Sequence, residues 1–181
     1  MARTQTTNLP TGEGLTFEKV WAALQETDRI VKENARIIGD LGNRFGELAE
    51  HLVAPNIREK FNELGFHFNE TATDKKFADP ETHKVIAEVD VFLENGDIAM
   101  AVEVKAKPKT GDVDDHVQRM ETIRRYADKK NDKRRFQGAI AAAILGDGVR
   151  RYILQNGFYV IEQTGDTVKI TIPKNFKARD W

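Results

Sequence analysis

Residues 84–105, KVIAEVDVFLENGDIAMAVEVK, constrain this chain more than any other stretch. Two runs of alternating apolar and polar residues flank Asn95-Gly96. Asn-Gly between such runs is the strongest short-range hairpin signal, because both residues accept the positive φ of a tight turn. Strands are therefore expected from Lys84 to Leu93 and from Asp97 to Lys105. With Asn95-Gly96 as a two-residue turn, Glu94 faces Asp97, Asp90 faces Ala101 and Glu88 faces Glu103. Side chains alternate with period 2. One face then carries Val85, Ala87, Val89, Val91 and Leu93 with Ile98, Met100, Val102 and Val104, which is a core face. The other carries Glu88, Asp90, Glu103 and Lys105 among Ile86, Phe92, Ala99 and Ala101. Asp90 and Glu103 become diagonal neighbours, roughly 5–8 Å apart.

Like charges facing each other destabilise a sheet, so something must neutralise this cluster. Water does so if the patch is the solvent face of a half-buried hairpin. A divalent cation is the sharper answer, since carboxylate oxygens suit Mg²⁺ or Mn²⁺. Lys105, two residues after Glu103 on the same face, favours the cation. A metal, carboxylates and a Lys are what phosphodiester hydrolysis needs: a polarised phosphoryl group, an activated water and a cation for developing charge.

Around the hairpin the order is helix, strand, strand, strand, helix, strand, helix, strand, strand. Phe66 to Ala72 reads as a short strand and residues 73–83 as a loop. Asp112 is a good N-cap for a helix to about Lys130. Gln137 to Leu145 contains the apolar run GAIAAAIL and reads as a buried strand. Asp147 begins a short helix to Asn156. Gly157–Glu162 and Thr167–Ile172 form a last hairpin. The expected class is α/β or α+β, a mixed sheet flanked by helices.

The N-terminal third is different. Residues 1–15 are polar, with neither an apolar h-region nor a secretory pattern, and read as a disordered leader. From Thr16 a heptad seam begins: Phe17, Leu24, Val31, Ile38, Phe45 and Leu52, with companions Val20, Thr27, Asn34, Leu41 and Leu48. A sustained 3.5-residue repeat is the mark of a coiled coil, and a polar Asn34 within it can set register. A long coiled-coil helix over residues 16–45, and hence a homo-oligomer, is expected. Gly39, Gly42, Gly46, Ala49, Val53 and Ile57 form a second stripe of small residues that would lie against the folded domain, 46–181. Pro55 is a site for a kink, and Gly65 supplies the C-terminal stop.

Asp90, twelve residues, then Glu103-Val104-Lys105 resembles the PD-(D/E)xK phosphodiesterase superfamily, which includes restriction-endonuclease-like and Holliday-junction-resolvase-like nucleases. The resemblance covers about residues 46–145. Residue 89 is Val where many members have Pro. The resemblance implies a restriction-endonuclease-like core and a Mg²⁺- or Mn²⁺-dependent DNA endonuclease. Asp90, Glu103 and Lys105 would be catalytic, with Asp90 and Glu103 holding the metal. Such families often add a Glu from the first helix. Glu50 borders the small-residue stripe and is chosen over Glu47, which points away. Glu88 is an ancillary candidate. Gln118 lies opposite the buried stripe of Val113, Val117, Met120 and Ala127. His116, at its edge, is better placed to approach the site.

The alternative is a catalytically silent nuclease-fold module acting in DNA binding or coiled-coil assembly. Lys107, Lys109, Arg119, Arg124 and Arg125 are the candidate nucleic-acid contacts, against the plainer reading of a solvated charged face. His51, His67, His83 and His116 show no metal-ligand spacing, and there is no Cys, so any metal is held by oxygen. The net charge of −1, taken as a sum, argues against a generically basic nucleic-acid binder. Yet residues 1–104 hold 11 basic and 19 acidic side chains, and residues 105–181 hold 17 and 10. Near-neutrality is thus a cancellation, with the basic half beginning at Lys105. No run of apolar residues is long enough to span a membrane, and a cytoplasmic location is expected.

Overall fold

The computed structural model describes residues 21, 22, 24–34, 36, 56–165 and 167–181. The chain divides into two compact units, residues 1–43 and 44–181. In the first, residues 24–34 are helical. Glu26–Arg29, Asp28–Lys32 and Glu33–Arg36 pair along the helix surface. Of the heptad positions, Leu24, Thr27, Val31 and Asn34 are described, and all four are exposed. The other seam positions lie outside the described residues. So do the leader, the stripe from Gly39 to Val53, Glu47, Glu50, His51 and Pro55.

The second unit is a six-stranded mixed sheet with helices on both faces. Its elements are α1 (residues 56–63), β1 (Glu70–Ala78), β2 (Val85–Glu94), β3 (Ile98–Lys105), α2 (Thr110–Lys129), β4 (Arg135–Ala142), α3 (Asp147–Gln155), β5 (Tyr159–Thr164) and β6 (Thr167–Thr171). The strands lie in sequence order. The pairs β1–β2, β2–β3 and β5–β6 are antiparallel. The pairs β3–β4 and β4–β5 are parallel, each joined through a helix. Parallel neighbours need such crossovers, and a parallel strand covered on both faces reads as a continuous apolar run, as β4 does.

Two hydrophobic clusters lie on the sheet. Ile57 and Phe61, one turn apart on α1, pack with Val91, Leu93, Met100, Val102, Ala139 and Ile161. Val113, Met120, Ile123 and Ala127 of α2 and Ile153 of α3 pack with Phe92, Ala99, Ala101, Ile140 and Val160. The helices stop where local chemistry stops them. At the end of α1 the Phe66 N–H reaches the Phe61 carbonyl and the Gly65 N–H reaches that of Asn62. Gly65 sits at φ +90, which closes a Schellman motif and ends the helix where expected. Gly157 does the same for α3, and a Cβ there would meet the Arg179 backbone nitrogen at 2.7 Å.

Several expectations are corrected. The first strand runs over Glu70–Ala78, not Phe66–Ala72, and takes in half of the expected loop. The Phe68 backbone bonds the Asn62 side chain, and the Phe66 carbonyl accepts from Asn95, so residues 66–68 do not join the ladder, and pairing begins with the Asn69 N–H on the Glu94 carbonyl. The strand that follows is polar because it is an edge strand. The hairpin register is displaced by two: Glu94 pairs with Ala99 and Val91 with Val102. The Asn95 side-chain oxygen accepts the N–H groups of both Asp97 and Ile98, at 2.8 Å each. Gly96-Asp97 therefore forms the turn. Because the shift is even, residues 91–94 keep their expected faces relative to β3, and the register carried on by one pair brings Asp90 across from Glu103. The α2 N-cap is Lys109, three residues before Asp112. Asp112 instead accepts the Lys109 N–H at 2.7 Å from inside the first turn.

The alternation of β2 also changes phase at Asp90. Ala87 and Val89 join the cluster beneath α2, and Val91 and Leu93 join the one beneath α1. Opposite lies Asp74 of β1, at φ +49, between the ladder pairs Thr73–Val91 and Lys75–Val89. A left-handed residue within a strand is the kind of local break that re-aims side chains.

Candidate active site at the end of the central hairpin

Asp90 sits at that break. Its Oδ2 accepts the backbone N–H of Val104 at 2.6 Å. The β2–β3 ladder stops at Val91–Val102, and the carboxylate takes up a donor the ladder has left. Glu103 is 4% exposed, and α2 covers it, so the patch is not a solvent face. Both of its oxygens are paired. Lys105 Nζ lies 2.8 Å from Oε1, and Arg119 Nη1 donates to Oε2. Burying a carboxylate is tolerable only with such partners.

Arg119 is held from behind. Its Nη1 lies 3.2 Å from His116 Nδ1, and His116 Nε2 lies 3.2 Å from the Ala101 carbonyl oxygen. The carbonyl can only accept, so Nε2 carries the proton and Nδ1 offers its lone pair to Arg119. His116 is fully buried, and its pKa is pushed down to about 3 by burial and then by the charges of Arg119 and Lys105, against the Ala101 hydrogen bond. The imidazole is thus neutral, which a buried acceptor for a guanidinium must be. Gly138 of β4 makes room for it: a Cβ there would lie 2.5 Å from the Phe158 ring and 3.3 Å from His116 Nε2.

The Asp90 carboxyl is pushed up to about 6 by burial and by the charge of Glu103. The Val104 hydrogen bond and the charges of Lys105 and Arg119 only partly offset this. Burial works against the Lys105 charge, but Glu103, Asp90 and Asp112 outweigh it and hold its pKa above the ordinary value. The centre therefore consists of two carboxylates facing each other and two cations on one of them.

Glu88 is outside it, half exposed and 3.5 Å from Lys76. Lys107 and Lys109 are exposed in the β3–α2 connection. Arg125 is exposed on α2 and donates to Thr122. Arg124 is turned inward: it donates to the carbonyls of Arg134 and Asp132 and lies over the Phe136 ring. Gln118 is exposed. The buried stripe of α2 is Val113, His116, Met120, Ile123 and Ala127, with Val117 only half-buried. Sequence reasoning grouped Arg119 with the surface cations and missed its bond to Glu103. The available signal was its position one turn beyond His116, on the border of the buried stripe.

Among the described residues no group of three His, Asp or Glu donors gathers. The two carboxylates still suit Mg²⁺, which is usually held by one or two carboxylates, the rest of its shell being water and substrate phosphate. Asp90 and Glu103 would hold it. Among the described residues no helix is long and apolar enough to cross a membrane. Neither a family model, nor a curated protein, nor a solved structure matches the chain.

Proposed function

We propose that this protein is a divalent-metal-dependent nuclease, with DNA as its substrate. The observation that carries the reading is geometric: the half-buried Asp90 carboxyl, fixed by the Val104 N–H, lies across from the buried Glu103, which carries Lys105. Two carboxyl groups set together away from solvent are costly to the fold and useful to a site that takes up a cation. The element order from α1 to β4 also agrees with the restriction-endonuclease-like core that the motif implies.

Asp90 and Glu103 bind the cation, with Glu50 as a further ligand. Mg²⁺ or Mn²⁺, when bound, polarises the phosphoryl group and acidifies a water. Lys105 keeps its proton and directs it toward the attacking water or a phosphate oxygen, stabilising charge there. Lys107, Lys109 and Arg125 meet the nucleic-acid backbone outside the centre. The heptads join copies of the chain into a dimer or higher oligomer, which would set two sites against two strands. The expected location is the cytoplasm.

One observation favours a second reading. Glu103 already has a cation on each oxygen, as a silent nuclease-fold module used for DNA binding or coiled-coil assembly would. Incubation with single-stranded, duplex and branched DNA and RNA, with and without Mn²⁺, separates the two. The nuclease cleaves a DNA member of the panel only with metal, and loses this in Asp90→Ala. Binding without cleavage of any substrate supports the module.

A further inference from the structure

We propose that Arg119 is an exchangeable counter-ion for Glu103: it occupies the carboxylate oxygen that a divalent cation needs, and a nucleic-acid phosphate draws it away. Metal and nucleic acid then bind cooperatively, each clearing the way for the other. This deepens the proposed nuclease reading and rests on it.

Three features carry it. First, Arg119 donates to Glu103 Oε2 and Lys105 lies on Oε1, so a positive charge already sits on each oxygen of this buried carboxylate and a divalent cation must compete with it. Second, Arg119 has a second hold. The His116 Nδ1 lone pair accepts from the same terminal nitrogen that donates to Glu103, and the Ala101 carbonyl fixes the tautomer that makes this possible. Arg119 released from Glu103 therefore stays positioned at His116. Third, the Arg119 side chain is 24% exposed, whereas that of Glu103 is 5% exposed. An anion can reach the guanidinium from solvent, and a guanidinium matches phosphate geometry well.

Charge balance gives the direction. Asp90 and Glu103 carry two negative charges, which Lys105 and Arg119 balance. Adding a divalent cation alone leaves two positive charges in excess in a partly buried centre. A phosphodiester accepted by Arg119 removes part of that excess and frees Oε2. The linkage is reciprocal by thermodynamic necessity, so the metal must strengthen phosphate binding by the same factor. His116 acts here as a positioning residue.

The test titrates Mn²⁺ calorimetrically into the full chain, alone and with a phosphorothioate DNA duplex, for the wild type, Arg119→Gln and Arg119→Lys. Thermal melts by circular dichroism check that each variant is folded. In the wild type the duplex should tighten Mn²⁺ binding about tenfold, a typical coupling. Arg119→Gln should bind Mn²⁺ about tenfold tighter without DNA and gain nothing from the duplex. Arg119→Lys, which keeps the charge on a shorter side chain without the guanidinium fork, should fall between. Arg119→Gln binding no tighter than wild type, or an equal gain from duplex in both proteins, overturns the proposal. If Arg119→Gln does not fold, Arg119→Lys against the wild type decides, and equal affinity overturns it. Absence of Mn²⁺ binding in every protein, duplex present, overturns the nuclease reading as well, whereas wild-type binding without the coupling overturns only this inference.

Discussion

The Asp90 carboxylate accepts the Val104 backbone N–H at 2.6 Å, where the β2–β3 ladder gives out. That bond holds a half-buried acidic side chain across from Glu103, in the middle of β2, where the alternation of the strand changes phase. The site is therefore a defect in the sheet, and its stability and its chemistry should oppose each other.

Replacing Asp90 by Asn keeps an acceptor for Val104 and removes the unfavourable charge. The folded pKa of about 6 lies above the unfolded value, so the contribution of Asp90 to stability is fully present below about pH 4. It is lost as pH rises through about 6. Asp90→Asn should therefore melt on the order of a few degrees higher than wild type at pH 8, with the gap closing by pH 4. Melting curves across pH check this, and a lower midpoint for the variant at pH 8 contradicts it.

His116 shows the opposite sign. Its folded pKa of about 3 lies below the unfolded value, so its contribution is present above about 6.5 and lost as pH falls. Imidazole nitrogen NMR at pH 5 should show a neutral ring protonated on Nε2. A ring that titrates near 6.5 is inconsistent with its burial between Ala101 and Arg119.

The basic residues should divide into two kinds. Arg124→Met removes donors to the Arg134 and Asp132 carbonyls and should cost about 1–3 kcal/mol of stability, measured by denaturant unfolding. Lys107→Gln and Lys109→Gln should leave stability within about 0.5 kcal/mol. Each should lower the salt dependence of DNA binding by about one phosphate contact. Fluorescence anisotropy across salt concentrations measures this, and unchanged slopes contradict a backbone-contact role.

Gly138→Ala tests how the sheet supports the site. The added Cβ meets the Phe158 ring at 2.5 Å and crowds His116 Nε2. The variant should lose about 1–3 kcal/mol, as overpacked cores do. It should also shift the His116 resonances, and a neutral effect on both would mean that the ring is not confined there.

Much of this was legible in the sequence because period 2 is robust. From Val91 to Lys105 the pattern sets which residues can share a face, and an error of two in register leaves that parity intact. The register itself was not legible, because it depends on the Asn95 side chain capturing two backbone N–H groups. The phase change at Asp90 was hidden too: it coincides with Asp74, a non-glycine residue at positive φ opposite it on the neighbouring strand. The acidic pair and Lys105 stood out by spacing. Arg119 did not, since its bond to Glu103 depends on how α2 packs over β3, and spacing along the chain records only that Arg119 borders the buried stripe. The start of α2 was misplaced because Asp112 suits an N-cap and the third helical position equally well.

The most direct test of the central claim is cleavage of a labelled DNA duplex by wild type and Glu103→Gln, side by side, with Mn²⁺ and with chelator. Glu103→Gln keeps the size and the acceptor for Arg119 and loses the charge that holds a cation. The account predicts Mn²⁺-dependent cleavage by the wild type, none with chelator, and a loss of at least about a hundredfold in Glu103→Gln, as removal of a group that stabilises the transition state costs. Equal cleavage by the two folded proteins, or cleavage that persists in chelator, would contradict it.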